Sequence, residues 1–112
     1  MRRSQTVFLV RCIVIRYSVL VIRSFACKET EKLWLTGKTV RWSAIQRAAL
    51  KKLALLAAVT RLDELKVPPG NRLEALRGSR AGSHSIRIND QWRLCFRWEE
   101  TGPIEVEIVD YH

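Results

Sequence analysis

No CxxC pair occurs in this sequence, and its three cysteines, Cys12, Cys27 and Cys95, are odd in number and widely separated. That argues against a disulfide framework and fits a reducing compartment, the cytoplasm. Histidine is as scarce, with only His84 and His112, so no Cys/His set with zinc-ligand spacing can be assembled. We expect the cysteines to be packing residues and expect neither metal nor cofactor. No apolar run reaches the ~18 residues a membrane-spanning helix needs. The opening MRRSQTVFLVRCIVIRYSVL begins like a signal peptide, but Arg11 and Arg16 cut the run and no small-residue cleavage site follows. No membrane partner is expected. Acid is missing from those first twenty residues, and Thr36-Gly37-Lys38-Thr39 lacks the upstream glycine that a phosphate loop requires.

What is present is base. Twenty Lys+Arg face eleven Asp+Glu, a net charge of +9. Residues 1–20 contribute Arg2, Arg3, Arg11 and Arg16, so from Val21 on the balance is sixteen to eleven, or +5. A field of that sign favours nucleic acid over an acidic small substrate. With 112 residues, 47% of them hydrophobic, the chain can bury one core. The expected organisation is a basic, apolar extension over residues 1–20, outside the functional domain, and a single domain over residues 21–112 with a natural start at Val21.

Within that domain, Val19 to Phe25 is β-branched and aromatic and reads as a first strand. Lys28 to Thr36 reads as a short helix ended by Gly37. A second helix opens at Ser43, with Gln46 as its capping-box partner and Trp42 as a staple. Ile45, Ala48, Ala49, Leu53 and Leu56 then follow at helical spacing, with Gln46, Arg47, Lys51 and Lys52 nearer water. A further turn of helix is expected over Thr60 to Lys66, with Asp63 near its N-terminus. After Pro68-Pro69-Gly70 the period changes to two. Leu73 to Leu76, His84 to Asn89, Trp92 to Trp98 and Ile104 to Tyr111 read as strands, with a tight hairpin at Asn89-Asp90. The fold class expected is α+β: two N-terminal helices packed on a twisted, antiparallel-dominated sheet. Trp92, Leu94, Phe96 and Trp98 share one face, joined by Ile104, Val106 and Ile108. Arg93, Cys95 and Arg97 share the other, which is expected to look outward with Glu105 and Glu107 as cross-strand partners for the arginines.

Asn71 to Trp98 concentrates Arg72, Arg77, Arg80, Arg87, Arg93 and Arg97 against Glu74 and Asp90. Such a surface, ending beside Asp110-Tyr111-His112, suits cleavage of RNA by its own 2′-hydroxyl. Arginines clamp phosphate bidentately but are poor proton donors. An imidazole ordinarily titrates near neutrality, which makes His112 the natural acid or base. Tyr111 is suited to stacking on a base. For a terminal Tyr-His pair alone, a frayed surface is the commoner meaning, and His84, on the apolar face, reads as a core residue. Lys51 and Lys52 are either part of an RNA grip or the charged outer side of a packed helix, the latter being commoner.

The segments RWSAIQRAALKKLALL, PPGNRLEALRGSRAGSHSIRINDQWRLCFRW and EIVDYH together resemble the HigB toxins of the RelE/ParE superfamily, the GraT-like subgroup above all. The resemblance covers residues 21–112. It implies a small RelE-like (microbial-RNase-like) fold and a metal-independent endoribonuclease that cuts mRNA in the A site of the translating 70S ribosome. It also implies control by a HigA-type helix-turn-helix antitoxin. Position by position it puts the catalytic arginine at Arg93 and the terminal catalytic group at Asp110, Tyr111 and His112. Where many relatives read histidine-proline-leucine-lysine, this chain has Glu74-Ala75-Leu76-Arg77. Glu74 and Arg77 are thus carried over as catalytic positions with altered chemistry, implying slower cleavage and mild toxicity. Arg72, Arg80, Arg87, Lys51 and Lys52 are the expected RNA contacts. Two other readings remain beside this one: a ParE-like inhibitor of DNA gyrase without nuclease activity, and a non-catalytic basic RNA-binding protein.

Overall fold

Acidic residues early in a helix and a glycine just past its end are the local signals that bound the first element. The computed structural model describes residues 22–110. Helix α1 spans Lys28–Thr36, with Glu29 and Glu31 in the first turn, where the helix dipole favours them. Gly37 closes it in the left-handed region at φ 77°, donating its N–H to the carbonyl of Leu33. Helix α2 spans Gln46–Ala58 and follows a 3-10 turn at Ser43–Ile45. The capping box expected at Ser43 does not form. Gln46 instead accepts the backbone N–H of Thr39 at 2.9 Å through its side-chain carbonyl, so the glutamine ties the helix to the preceding loop and α2 begins three residues later. The turn of helix expected over Thr60 to Lys66 is a 3-10 segment, Leu62–Lys66. Glu64 satisfies its start by accepting the N–H groups of Thr60 and Arg61 at 2.7 and 2.8 Å.

Four strands follow: β1, Glu74–Ala75; β2, Ser83–Arg87; β3, Trp92–Glu99; and β4, Gly102–Asp110. They form one antiparallel sheet in the order β1-β2-β3-β4. Of the first strand expected at Val19 to Phe25, the part through residue 21 lies outside the described residues. The rest runs parallel to β4 through a single bridge, Phe25 to Val106. Farther along, Ile108 donates its N–H to the hydroxyl of Thr30 at 3.1 Å, so α1 continues by a side chain what residues 23–26 begin by backbone.

The tight turn expected at Asn89-Asp90 also takes in Gln91. The Asn89 side-chain carbonyl accepts the N–H groups of both Gln91 and Trp92 at 2.8 Å. That loop length sets Arg87 opposite Arg93, on one face of the sheet. A second irregularity re-aims β4. Between the pairs Cys95–Glu107 and Arg97–Ile104 the fourth strand carries one extra residue, and Glu105 takes a left-handed φ of 52°. The bulge puts Ile104 on the side of Arg97, away from the face shared by Val106 and Ile108 as strict alternation would have it.

The core lies between the helices and the face of Ile86, Leu94, Phe96, Val106 and Ile108, with Leu33, Leu53, Leu56 and Leu65 buried against it. Trp42 meets Trp92 edge-on, ring centroids 6.3 Å apart. Leu53 is completely buried, and its truncation removes transfer energy and leaves a cavity. We expect Leu53→Ala to cost ~2–5 kcal/mol, read as a lowered urea midpoint with an unchanged slope.

Candidate active site around Arg93

The arginine side of the sheet is not simply an outward surface. Arg93 is only 5% exposed, and Ser85 beside it is fully buried. A buried guanidinium is tolerable only when its donors are satisfied, and here Nε and Nη2 are held within the protein. Its Nε donates to the Ser85 hydroxyl at 2.8 Å and its Nη2 to the Ser85 carbonyl at 3.3 Å. The same Nη2 donates to the carbonyl of Arg72. Glu74, half exposed, lies 3.8 Å away as an ion-pair partner. The physical cause is the register of the short first strand. Glu74 pairs with Ser85 and Ser85 with Cys95, so the chain entering β1 is laid across the arginine.

Arg72, Glu74, Arg87 and Arg93 line one open cavity of about 480 Å³, together with Gly70, Asn89 and Asp90. Glu74 also lines a second, of about 560 Å³, with Ala75, Leu76 and Arg77. The carboxylate thus stands between two clefts, one floored by Arg93 and one bordered by Arg77. On the rim, Arg87 is ion-paired with Asp90. Arg80 reaches across to Glu107 at 3.2 Å, taking one of the two carboxylates expected as cross-strand partners for Arg93 and Arg97. Arg97 folds over Gly82, where any Cβ would come within 3.0 Å of its guanidinium, and donates to the carbonyl of Ala81. It serves the loop.

Lys51 is exposed on α2, whereas Lys52 turns inward and donates to the side-chain carbonyl of Asn71. Burial, then repulsion from Lys51 and Arg87, lowers the pKa of Lys52. Asp110 pairs with Trp92 across the sheet, which sets it on the opposite face from Arg93, and it accepts from Gln91 at 3.2 Å. Tyr111 and His112 lie outside the described residues. His84 is on the apolar face, stacked on Phe96 with ring centroids 6.3 Å apart.

Cys95 sits under this face with 3% exposure, and burial pushes its thiol pKa up. Because the thiolate is the nucleophile, a raised pKa means less of it at neutral pH. In a Cys12→Ser variant, iodoacetamide at pH 7.5 is expected to modify the half-exposed Cys27 well before Cys95, with mass spectrometry of the peptides reading the order.

Ser85 and Asn71 are the site residues that strand alternation did not single out. For Ser85 a signal existed, since it shares a face with Arg87 two residues on. Its role depended on the hairpin register, which propensity does not fix.

The family model for HigB-like toxins, described as RelE-like toxins of the type II toxin-antitoxin system HigB, matches residues 23–112. The chain belongs to this family. It is 46% identical over 56 residues to Toxin HigB-1 of Vibrio cholerae serotype O1, a match covering 50% of this chain and 59% of that relative. Over 57 residues it is 33% identical to an uncharacterized protein of Haemophilus influenzae, covering 51% and 56% of the two chains. The chain thus spans somewhat more than half the length of the curated relatives it matches. As a HigB-like chain it has the α+β content of a RelE-like toxin: two α-helices and a four-stranded antiparallel sheet among the described residues. Among its described residues, no helix is long and apolar enough to cross a membrane.

Proposed function

We propose that this HigB-like toxin is a ribosome-dependent endoribonuclease that cuts mRNA in the A site and is held inactive by a HigA-type helix-turn-helix antitoxin. The observation that carries the reading is the buried guanidinium of Arg93, fixed by Ser85 and the Arg72 carbonyl at the edge of a cleft lined by Arg72 and Arg87. A preorganised cation costs no reorganisation when charge develops on a phosphorane, and that is where such groups contribute most. In the proposed reaction a base takes the proton of a ribose 2′-hydroxyl. The 2′-oxygen bonds to phosphorus, the bond from phosphorus to the 5′-oxygen breaks, and an acid protonates the departing oxygen. Glu74 and His112 are the proposed proton-transfer groups, Arg93 and Arg77 the phosphate clamp, and Tyr111 the residue that stacks on a base. Arg72, Arg80, Arg87 and Lys51 are proposed to meet the RNA backbone. The toxin domain is proposed to be residues 21–112, its two helices packed on the sheet as in the small microbial-RNase-like fold, and its place of work the cytoplasm, where ribosomes are.

The test is to induce the protein from Val21 in bacteria and map mRNA 5′ ends. In-frame cuts at A-site codons that disappear in His112→Ala support the reading. Growth arrest with intact mRNA and inhibited DNA supercoiling would overturn it in favour of a gyrase inhibitor.

A further inference from the structure

We infer that Asn71 is a positioning residue for Arg93, and that Lys52 couples helix α2 to it. The inference rests on the nuclease reading for its functional consequence, but its structural content is independent of that reading. Asn71 is fully buried, an uncommon location for an amide unless every polar atom is used. Its Nδ2 donates to the carbonyls of Leu65 and Val67 at 3.1 and 3.3 Å, and its Oδ1 accepts from the Lys52 ammonium. These bonds tie the segment entering the sheet to the 3-10 turn before it and to the middle of α2.

The next residue is where the consequence appears. Arg72 is in the left-handed region at φ 47°, ψ 57°, an unfavourable place for a residue with a Cβ. Its N–H bonds back to Pro69 at 3.1 Å, and that conformation points its carbonyl at Nη2 of Arg93. A strained residue persists only where its surroundings over-determine it, and here these are its own bonds to Pro69 and Arg93 together with the three bonds of the neighbouring Asn71 side chain. Relaxing them lets Arg72 leave the left-handed region. Arg93 then loses an acceptor and its guanidinium gains freedom to turn. Lys52, bonded to Asn71 and in the field of Arg87, acts at one further remove.

The test uses the full chain with Asn71→Ala, Asn71→Asp and Lys52→Met. Asp keeps the acceptor for Lys52 but replaces the two donated bonds with repulsion, so it should resemble Ala. Lys52→Met removes a single bond while preserving the aliphatic stem, and serves as the variant that folds if the Asn71 changes do not. The primary readout is the Arg93 Nε–H signal by nitrogen-15 NMR, where hydrogen bonding to Ser85 in a buried setting gives slow exchange in the parent chain. Exchange is expected to accelerate at least tenfold in each variant that folds, with Lys52→Arg restoring the parent rate. Single-turnover cleavage of ribosome-bound mRNA should fall about tenfold while ribosome binding stays within twofold. Unchanged Arg93 exchange in Lys52→Met and in a folded Asn71 variant would overturn the inference. If instead the parent chain cuts no mRNA but the exchange responds, the nuclease reading fails and the positioning role stands.

Discussion

Arg93→Ala is expected to lower the rate of mRNA cleavage by about 10²–10³-fold, the usual consequence of removing one preorganised donor to a developing oxyanion. The argument begins with burial. Outside the protein a guanidinium is a hydrated, mobile charge, whereas here its Nε and Nη2 are held by Ser85 and Arg72. Its orientation toward the cleft is therefore set before any ligand arrives. Lysine at this position would keep the charge but could not make the planar set of bonds to Ser85 and Arg72 that fixes the guanidinium, so Arg93→Lys should recover little of the loss. Alanine also strands the Ser85 hydroxyl in the interior, at a cost of roughly 1–3 kcal/mol. A thermal melt must therefore accompany the kinetics. Loss of cleavage in a variant that remains folded at the assay temperature supports the prediction. Retention of more than a tenth of the parent rate would exclude Arg93 as the principal phosphate clamp.

The second large effect runs the other way. Glu74→His with Arg77→Lys should raise the single-turnover rate by about ten- to a hundredfold, within the ~10²–10⁴ that positioned acid-base groups contribute. Glu74 lines both clefts and Arg77 borders the one away from Arg93, so under the proposed function both side chains would meet a bound strand. Imidazole is a stronger base than a carboxylate near neutral pH, and a lysine ammonium gives up a proton far more readily than a guanidinium. The pH profile should change with the rate, acquiring a limb near the ordinary histidine range. Equal rates for parent and double variant across pH 6–8 would show that the proton transfers lie elsewhere, His112 being the next group to examine.

Much of the architecture was legible because it rests on local chemistry. The limits of α1 follow from Lys28, Glu29 and Gly37, and the α2 stripe of Ala49, Leu53 and Leu56 follows from the 3.6-residue period. The alternation through Trp92, Leu94 and Phe96 similarly names the core face of β3. The misreadings share a cause. Gln46 bonds to Thr39 instead of capping its own helix, Glu107 pairs with Arg80 instead of with Arg93 or Arg97, and Ile104 is turned by a bulge. In each case a side chain had a plausible neighbour close in sequence or register and found a better one through the fold.

The arginine-rich stretch from Asn71 to Trp98 shows where that division falls. Its residue types, charge and period of two determined by themselves that it would be sheet and that one side of it would be basic. Alternation alone could not distinguish Arg93 from Arg97, which stand on the same face of one strand; only the resemblance to HigB toxins singled out Arg93, and it gave no physical reason. Tertiary structure separated them. The β1 register and the left-handed turn at Arg72 enclose Arg93 with acceptors, while Arg97 is left to pack over Gly82. Periodicity is a property of neighbouring residues and survives in the sequence. Burial of a charge depends on what another segment lays over it, and that is decided only when the chain has closed.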